Sequence, residues 1–135
     1  MRFPIKISDN FLVEPLLDTF GVNTETSFVE LVEGALHLKM GGWFDETIPL
    51  SNIAAIAPSD WPWWGGLGVK LGHHGVGLVG AQEGIVNLKL KEPAKVRVLV
   101  SAQVEQVWLS LKDPLAFLSA VSDATKLPVG PHTPF

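Results

Sequence analysis

The sequence predicts a mainly β domain, an antiparallel barrel of seven to eight strands with a C-terminal α-helix as its cap. Three observations support this fold class. Apolar and polar residues alternate in many short runs, the segments between the runs are too short for crossover helices, and the last apolar run, after Asp113, has a helical period. A barrel, or two packed sheets, avoids long open strand edges.

The N-terminal half begins with a short strand, because apolar side chains alternate with polar ones over residues 3–7. Residues 14–21 are predicted as a short helix, with proline in the first turn and glycine at the C-cap. Two hairpin turns are expected next, at Glu33-Gly34 and at Gly41-Gly42. Further turns are expected at Gly72-His73-His74-Gly75, Glu83-Gly84 and Glu92-Pro93.

The C-terminal helix is expected over residues 113–124. Asp113 is a favourable N-cap, and Pro114 suits the first helical position. Its apolar stripe is predicted to face the core and to comprise Leu115, Leu118 and Val121.

Composition and length limit the class of protein. The chain of 135 residues is expected to form one domain over 1–135, with a core at about 12–125 and an irregular tail at 126–135. It contains no cysteine, which excludes a disulfide scaffold and a cysteine nucleophile. The absence of a long apolar run and of a leader pattern favours a cytoplasmic location. The net charge of -4 argues against nucleic acid as a partner.

No sequence pattern indicates catalysis, so we expect no catalytic residue, no cofactor and no metal site. The nucleophile elbow, the Walker pattern and the dinucleotide fingerprint are missing from the sequence. The adjacent His73 and His74 lack a third ligand at metal-binding spacing, and they are interpreted as a solvated turn.

The tryptophan-rich loop at residues 58–66 is the most informative feature. Trp61, Trp63 and Trp64 lie within four residues of one another, beside a proline and two glycines. The loop is interpreted as a plug over the barrel mouth, as a partner or subunit contact, or as a bilayer anchor. The first two can coexist, and we predict that these indoles contact a protein partner.

The densest basic group of the sequence is expected to flank one turn, at Glu92-Pro93. It is a candidate for contact with a phosphate or an anionic bilayer, although a solubilising hairpin is the favoured explanation. Its members are Lys89, Lys91, Lys95 and Arg97.

The order of elements resembles that of bacterial pleckstrin-homology-like domains. The resemblance covers roughly residues 12–122 and rests on three segments. These are Phe20-Gly21-Val22, the glycine-rich stretch from Trp63 to Val86, and a last strand leading directly into Asp113-Pro114-Leu115-Ala116-Phe117-Leu118. It implies a binding or scaffolding role. It does not imply inositol-phosphate binding here, since Glu33-Gly34 occupies the loop that carries basic residues in eukaryotic relatives.

The sequence therefore predicts a non-enzymatic interaction module that binds a protein or assembles with itself as a homo-oligomer. Two alternatives stay open. One is a carrier of a small apolar ligand inside the barrel, and the other is a peripheral lipid-binding module, which is not favoured.

Overall fold

A computed structural model describes residues 1–7, 26–42, 44–62, 68–98 and 100–135. The strands in these ranges are β1 (Arg2–Pro4), β2 (Ser27–Val32), β3 (Ala35–Met40), β4 (Phe44–Pro49), β5 (Ile53–Pro58), β6 (Gly68–Gly72), β7 (Gly75–Val79), β8 (Ile85–Val98) and β9 (Val100–Ser110). The helix is α1 (Pro114–Thr125), and a short 3-10 turn, Leu50–Asn52, joins β4 to β5. The helix predicted over residues 14–21 lies outside the described residues.

The strands form two sheets. The first is a four-stranded antiparallel meander in the order β1-β2-β3-β4, and the second has five strands in the order β5-β8-β9-β7-β6. The predicted turns at Glu33-Gly34 and His73-His74 join β2 to β3 and β6 to β7. The mainly β class with a C-terminal helix is confirmed. Within the described ranges there are nine strands, more than the seven to eight predicted, and they do not join into one closed barrel.

One strand pair corrects the prediction of a wholly antiparallel sheet. β7 runs parallel to β9, with Val76 opposite Val107 and Leu78 opposite Leu109. A parallel pair of consecutive strands needs a long crossover. β7 and β9 are not consecutive, because β8 lies between them in the chain and pairs with the other side of β9. The short connections therefore do not forbid this pair.

The longest strand corrects a second prediction. The expected turn at Glu92-Pro93 lies inside β8, where the pairing with β9 shifts between Lys89 and Ala94. The side chain of Asn52 holds this irregularity, because its Oδ1 accepts from the Glu92 amide at 2.9 Å and its Nδ2 donates to the Glu92 carbonyl at 3.0 Å. A strand tolerates proline at such a bulge, since one ladder hydrogen bond is already missing there.

The N-terminal segment joins the two sheets. Beyond β1 the chain reaches the end of β9, where the Lys6 amide donates to the Ser110 carbonyl at 2.8 Å and the Lys112 amide donates to the Pro4 carbonyl at 3.1 Å. The Lys6 ammonium also lies 2.7 Å from the Glu83 carboxylate. The hydrogen bond from Lys6, and its charge, lower the pKa of Glu83.

The main core lies between the two sheets and is closed by α1. Phe117, Leu118 and Val121 are the buried residues of the helix, and the Phe117 ring meets Phe3 of β1 edge to face at 5.3 Å. The helix also packs against β5 and β8, so it contacts both sheets. The prediction that Leu115 faces the core is wrong, because this side chain is 74% exposed.

The N-terminus of α1 is capped as the sequence predicts. The Asp113 carboxylate accepts from the Ala116 amide at 3.2 Å, and Pro114 occupies the first turn. Lys126 ends the helix in a left-handed conformation. Within the described ranges, no helix has the length and apolar character needed to cross a bilayer.

Candidate functional site

An aromatic cluster lies on the outer face of the five-stranded sheet, which is the face opposite the main core. Trp108 of β9 stands between two core residues, Val107 and Leu109, so its side chain points away from that core. Its ring centroid is 5.8 Å from that of Trp61 and 5.3 Å from that of Phe135, and the rings of Trp61 and Phe135 are 5.5 Å apart. These separations are typical of favourable aromatic pairs.

Two glycines of β7 make room for the indole rings. A Cβ atom on Gly75 would lie 2.5 Å from the Trp108 ring, and one on Gly77 would lie 2.7 Å from the Trp61 ring. Gly77 stands opposite Trp108 in the parallel register. The outer surface of β7 is thus a shallow depression, and the indoles lie over it.

The turn between β6 and β7 borders the cluster. His73 and His74 have φ angles of 51° and 59°, a conformation that non-glycine residues rarely adopt. Two hydrogen bonds from β9 hold this turn. Gln106 Nε2 donates to the His73 carbonyl at 2.8 Å, and the Glu105 amide donates to the His74 carbonyl at 2.6 Å. The His73 ring meets Phe135 edge to face at 4.7 Å.

The segment after α1, residues 127–135, forms a strap along the free edge of β5. It has no regular secondary structure, but the Gly130 amide donates to the Ile56 carbonyl and the Thr133 amide donates to the Pro58 carbonyl, each at 2.9 Å. The Asp60 amide donates to the Thr133 carbonyl at 3.2 Å. The strap thereby carries Phe135 to the cluster.

Two small cavities adjoin the rings. One, of about 110 Å³, lies beneath the end of the strap, and another, of about 170 Å³, lies beside β6. Both are lined by His73, Trp108 and Phe135. The first also contains Asn87, which is only 4% exposed and donates to Gln106 Oε1 at 3.2 Å. These cavities suit side chains or small groups, since they are smaller than a typical cofactor pocket.

A basic row continues from the cluster along β8. Each of its members follows or precedes a core residue of the same strand, so all four point away from the core. They are exposed, and within the described ranges none of their side chains forms an ion pair with a carboxylate. The row consists of Lys89, Lys91, Lys95 and Arg97. It lies along one strand instead of flanking a turn as predicted.

The predicted tryptophan site is only partly described. Trp61 is half-buried on the outer face of the sheet, where it packs against Trp108 and Phe135. Trp63 and Trp64 lie outside the described residues. The prediction that these indoles contact a partner stays a prediction.

Sequence reasoning missed Trp108, Phe135, Asn87 and the ring of His73 as parts of this site. The alternation of Gly75 and Gly77 beside an outward-facing tryptophan was the available signal, since small residues in a strand accommodate a close neighbour. The position of Phe135 had no local signal, because it depends on the path of the strap.

Two histidine–aspartate pairs are present, His37 with Asp45 at 2.5 Å and His132 with Asp60 at 2.7 Å. In the described part of the chain no hydroxyl group hydrogen-bonds to either imidazole. The described residues also contain no group of three or more side chains suited to hold a metal ion.

The arrangement therefore offers apolar ring surface, amide groups and cations for binding. The chain matches no protein-family model, no curated protein and no solved structure. The resemblance to pleckstrin-homology-like domains accordingly stays a prediction.

Proposed function

We propose that this protein is a non-enzymatic interaction module that binds another protein, or a second copy of itself, through the outer face of its five-stranded sheet. The observation that carries the proposal is the aromatic cluster of Trp61, Trp108 and Phe135, which lies apart from the main core. The fold already has a full core between its sheets. The second cluster is separate from this core, and part of its ring surface is exposed.

The exposure of the rings supports a contact role. Trp108 is 5% exposed and forms the floor, whereas Trp61 is half-buried and Phe135 is 38% exposed. A rigid floor with partly open rings above it resembles the centre of protein interfaces, where tryptophan is enriched. The rings are also held before binding, which lowers the entropic cost of association.

The test compares the wild-type protein with two variants by sedimentation velocity over a concentration series. Trp61→Ala should weaken self-association by about tenfold or more, since interface tryptophans often contribute over 1.4 kcal/mol. Leu115→Ala is the matched control, because Leu115 is an exposed apolar side chain on α1 and is not a member of the aromatic cluster. It should leave association unchanged.

If the wild-type protein is monomeric at every concentration, the partner must be a different protein, and the same variants are then compared for binding to it. Cross-linked complexes of the wild type would then have to be lost in Trp61→Ala and retained in Leu115→Ala. If Trp61→Ala and the wild type behave alike in both assays, the proposed contact face is wrong.

The basic row supports a second candidate function, peripheral binding to an anionic bilayer. Lysine and arginine side chains near a membrane surface each contribute about 1 kcal/mol. Co-sedimentation with phosphatidylserine vesicles should then be reduced in the double variant Lys95→Gln, Arg97→Gln. Binding that is absent, or unaffected by this change, would argue against this second candidate function.

We further propose that the fold is a partly open relative of the pleckstrin-homology-like barrel. The four-stranded meander, the following second sheet and the C-terminal helix support this relationship. The Arg97 amide donates to Glu46 Oε1 at 3.0 Å, which brings β8 close to β4. If NMR spectra show amide contacts across β4 and β8, the two strands are paired and the barrel is closed. Their absence would make the fold a sandwich.

A further inference from the structure

The strap shows how the free edge of β5 accepts an extended chain. Val129 bridges to Ile56 and Thr133 bridges to Ser59, both in the parallel sense. Three of the bonds at this edge join backbone atoms, which every extended peptide has, and the Thr133 hydroxyl adds a side-chain bond to the Pro58 carbonyl at 3.3 Å. The edge is therefore a general docking site that the chain's own strap occupies.

Phe135 is the side-chain anchor of this docking. It contacts Trp61, Trp108 and His73, each with a ring separation between 4.7 and 5.5 Å. His132 adds a second attachment through its bond to the Asp60 carboxylate at 2.7 Å. An extended chain with an aromatic residue at this position thus fits the groove.

The strap fills its groove incompletely. Prolines 128, 131 and 134 supply no backbone N–H to the edge of β5. A cavity of about 110 Å³ remains between the end of the strap and the sheet. In the described part of the chain, no donor is bonded to Asn87 Oδ1, and Lys89, which also lines this cavity, has no ion-pair partner. A partner that fills this space and pairs with Lys89 would make contacts that the strap does not make.

We infer that the edge of β5 and the aromatic cluster form a groove for an extended acidic peptide, in which an aromatic residue has a carboxylate as its neighbour. The aromatic residue replaces Phe135 among the rings, and the carboxylate faces Lys89. The strap is an internal competitor that must leave before the partner binds. This inference rests on the proposed function and specifies the chemistry of its partner.

The test uses fluorescently labelled synthetic peptides and the full chain. The first peptide, Val-Gly-Pro-His-Thr-Asp-Phe, is the sequence from Val129 to Phe135 with aspartate in place of the last proline. A second peptide ends in alanine instead of phenylalanine. A third keeps the proline of the strap. Fluorescence anisotropy measures the affinity of each peptide for each protein variant.

Removal of the internal competitor should increase the affinity of the first peptide. Phe135→Ala should bind it about tenfold or more tightly than the wild type, because the groove is then open for a larger fraction of the time. His132→Ala should act in the same direction, since it removes the strap's bond to the Asp60 carboxylate and leaves that carboxylate for the histidine of the peptide. This second variant decides the test if Phe135→Ala folds poorly.

Three results define the specificity of the groove. In the Phe135→Ala protein, the alanine-ended peptide should bind at least about tenfold more weakly than the first peptide, as expected when an interface anchor is lost. The proline peptide should also bind more weakly than the aspartate peptide. Lys89→Gln should remove the preference for aspartate over proline, whereas Leu115→Ala should change nothing.

Equal binding of the phenylalanine and alanine peptides overturns the inference, as does equal affinity of the wild type and both strap-releasing variants. Binding of single-stranded RNA in preference to the acidic peptide also overturns it. Sedimentation velocity separates this failure from that of the proposed function. Association that depends on Trp61 but occurs without peptide binding would leave the proposed function standing.

Discussion

Gly75 and Gly77 of β7 decide where the two indoles of the cluster lie. A methyl group on Gly75 would meet both the Trp108 ring and the Gln106 backbone carbonyl, at 2.5 and 2.7 Å. A methyl group on Gly77 would meet the outer edge of the Trp61 ring. The close contact at Gly75 thus involves backbone within the sheet, whereas the close contact at Gly77 involves the end of a half-buried side chain.

These two positions give the first prediction. Gly75→Ala should lower the free energy of unfolding by about 1–3 kcal/mol, as overpacking usually does. Gly77→Ala should cost less, because Trp61 can tilt outward, and its fluorescence should shift to longer wavelength. Urea denaturation measures the first effect and tryptophan emission the second. A larger loss of stability in Gly77→Ala than in Gly75→Ala would show that Trp61 is the more firmly packed indole.

The incorrect prediction that Leu115 faces the core also has its cause at the scale of single residues. A helix with 3.6 residues per turn places Leu115 about 115° from the centre of the stripe formed by Phe117, Leu118 and Val121. Spacing of three residues made Leu115 a reasonable member of the apolar face, but Phe117 takes the inward position. An inward-facing Leu115 and an inward-facing Phe117 both agree with the helical period of the apolar residues. Only the packing of the helix against the sheets decides which of the two side chains is buried.

At the scale of elements, α1 depends on its N-cap. Asp113→Ala should lower stability by about 0.5–2 kcal/mol, because the Ala116 amide loses its acceptor. Asp123→Ala is the control, since Asp123 is an exposed acid in the last turn of the helix and its removal should be neutral or slightly favourable. Thermal denaturation followed by circular dichroism compares the two variants. Equal melting temperatures would mean that tertiary packing alone holds the helix.

The sequence predicted several elements of this fold because their signals are local. The turn at Glu33-Gly34 and the cap at Asp113 depend on the conformational preferences of a few adjacent residues. Glu92-Pro93 carries a turn signal as well, yet it lies within β8 because Asn52, 40 residues away, bonds to its backbone. Contacts between distant segments are not encoded in a local pattern.

The same limit applies to the whole molecule. Alternation of apolar residues predicted most strands, but it does not state which strand lies beside which. The parallel pairing of β7 with β9 and the path of the strap bring together Trp61, Trp108 and Phe135. The candidate site could therefore be predicted only where it is local, at Trp61. Its other members follow from the topology.

The junction between the sheets gives a prediction at this scale. A Cβ atom on Gly80 would lie 2.6 Å from the Lys6 carbonyl oxygen and 3.0 Å from the Ile7 Cα, so the backbone would have to move. Gly80→Ala should therefore lower the free energy of unfolding by about 1–3 kcal/mol. Gly72→Ala is the control, because among the described residues nothing lies within 4 Å of its added Cβ atom.

Urea denaturation of the two variants provides the measurement for this junction, together with amide exchange at Lys6. Faster exchange of this amide in Gly80→Ala, with slow exchange retained at Val107, would locate the damage at the contact between the sheets. Stability equal to that of Gly72→Ala would contradict the predicted role of Gly80.

The junction between the sheets also has a consequence for the order of folding. Ser110 and Lys6 are 104 residues apart, so their contact closes a loop of nearly the whole chain, whereas β8 and β9 are neighbours in sequence. Loop-closure entropy increases with the length of the loop, which favours early formation of the β8–β9 hairpin. We therefore expect pulse-labelled refolding to protect the amides of this hairpin first, and the Lys6 amide last.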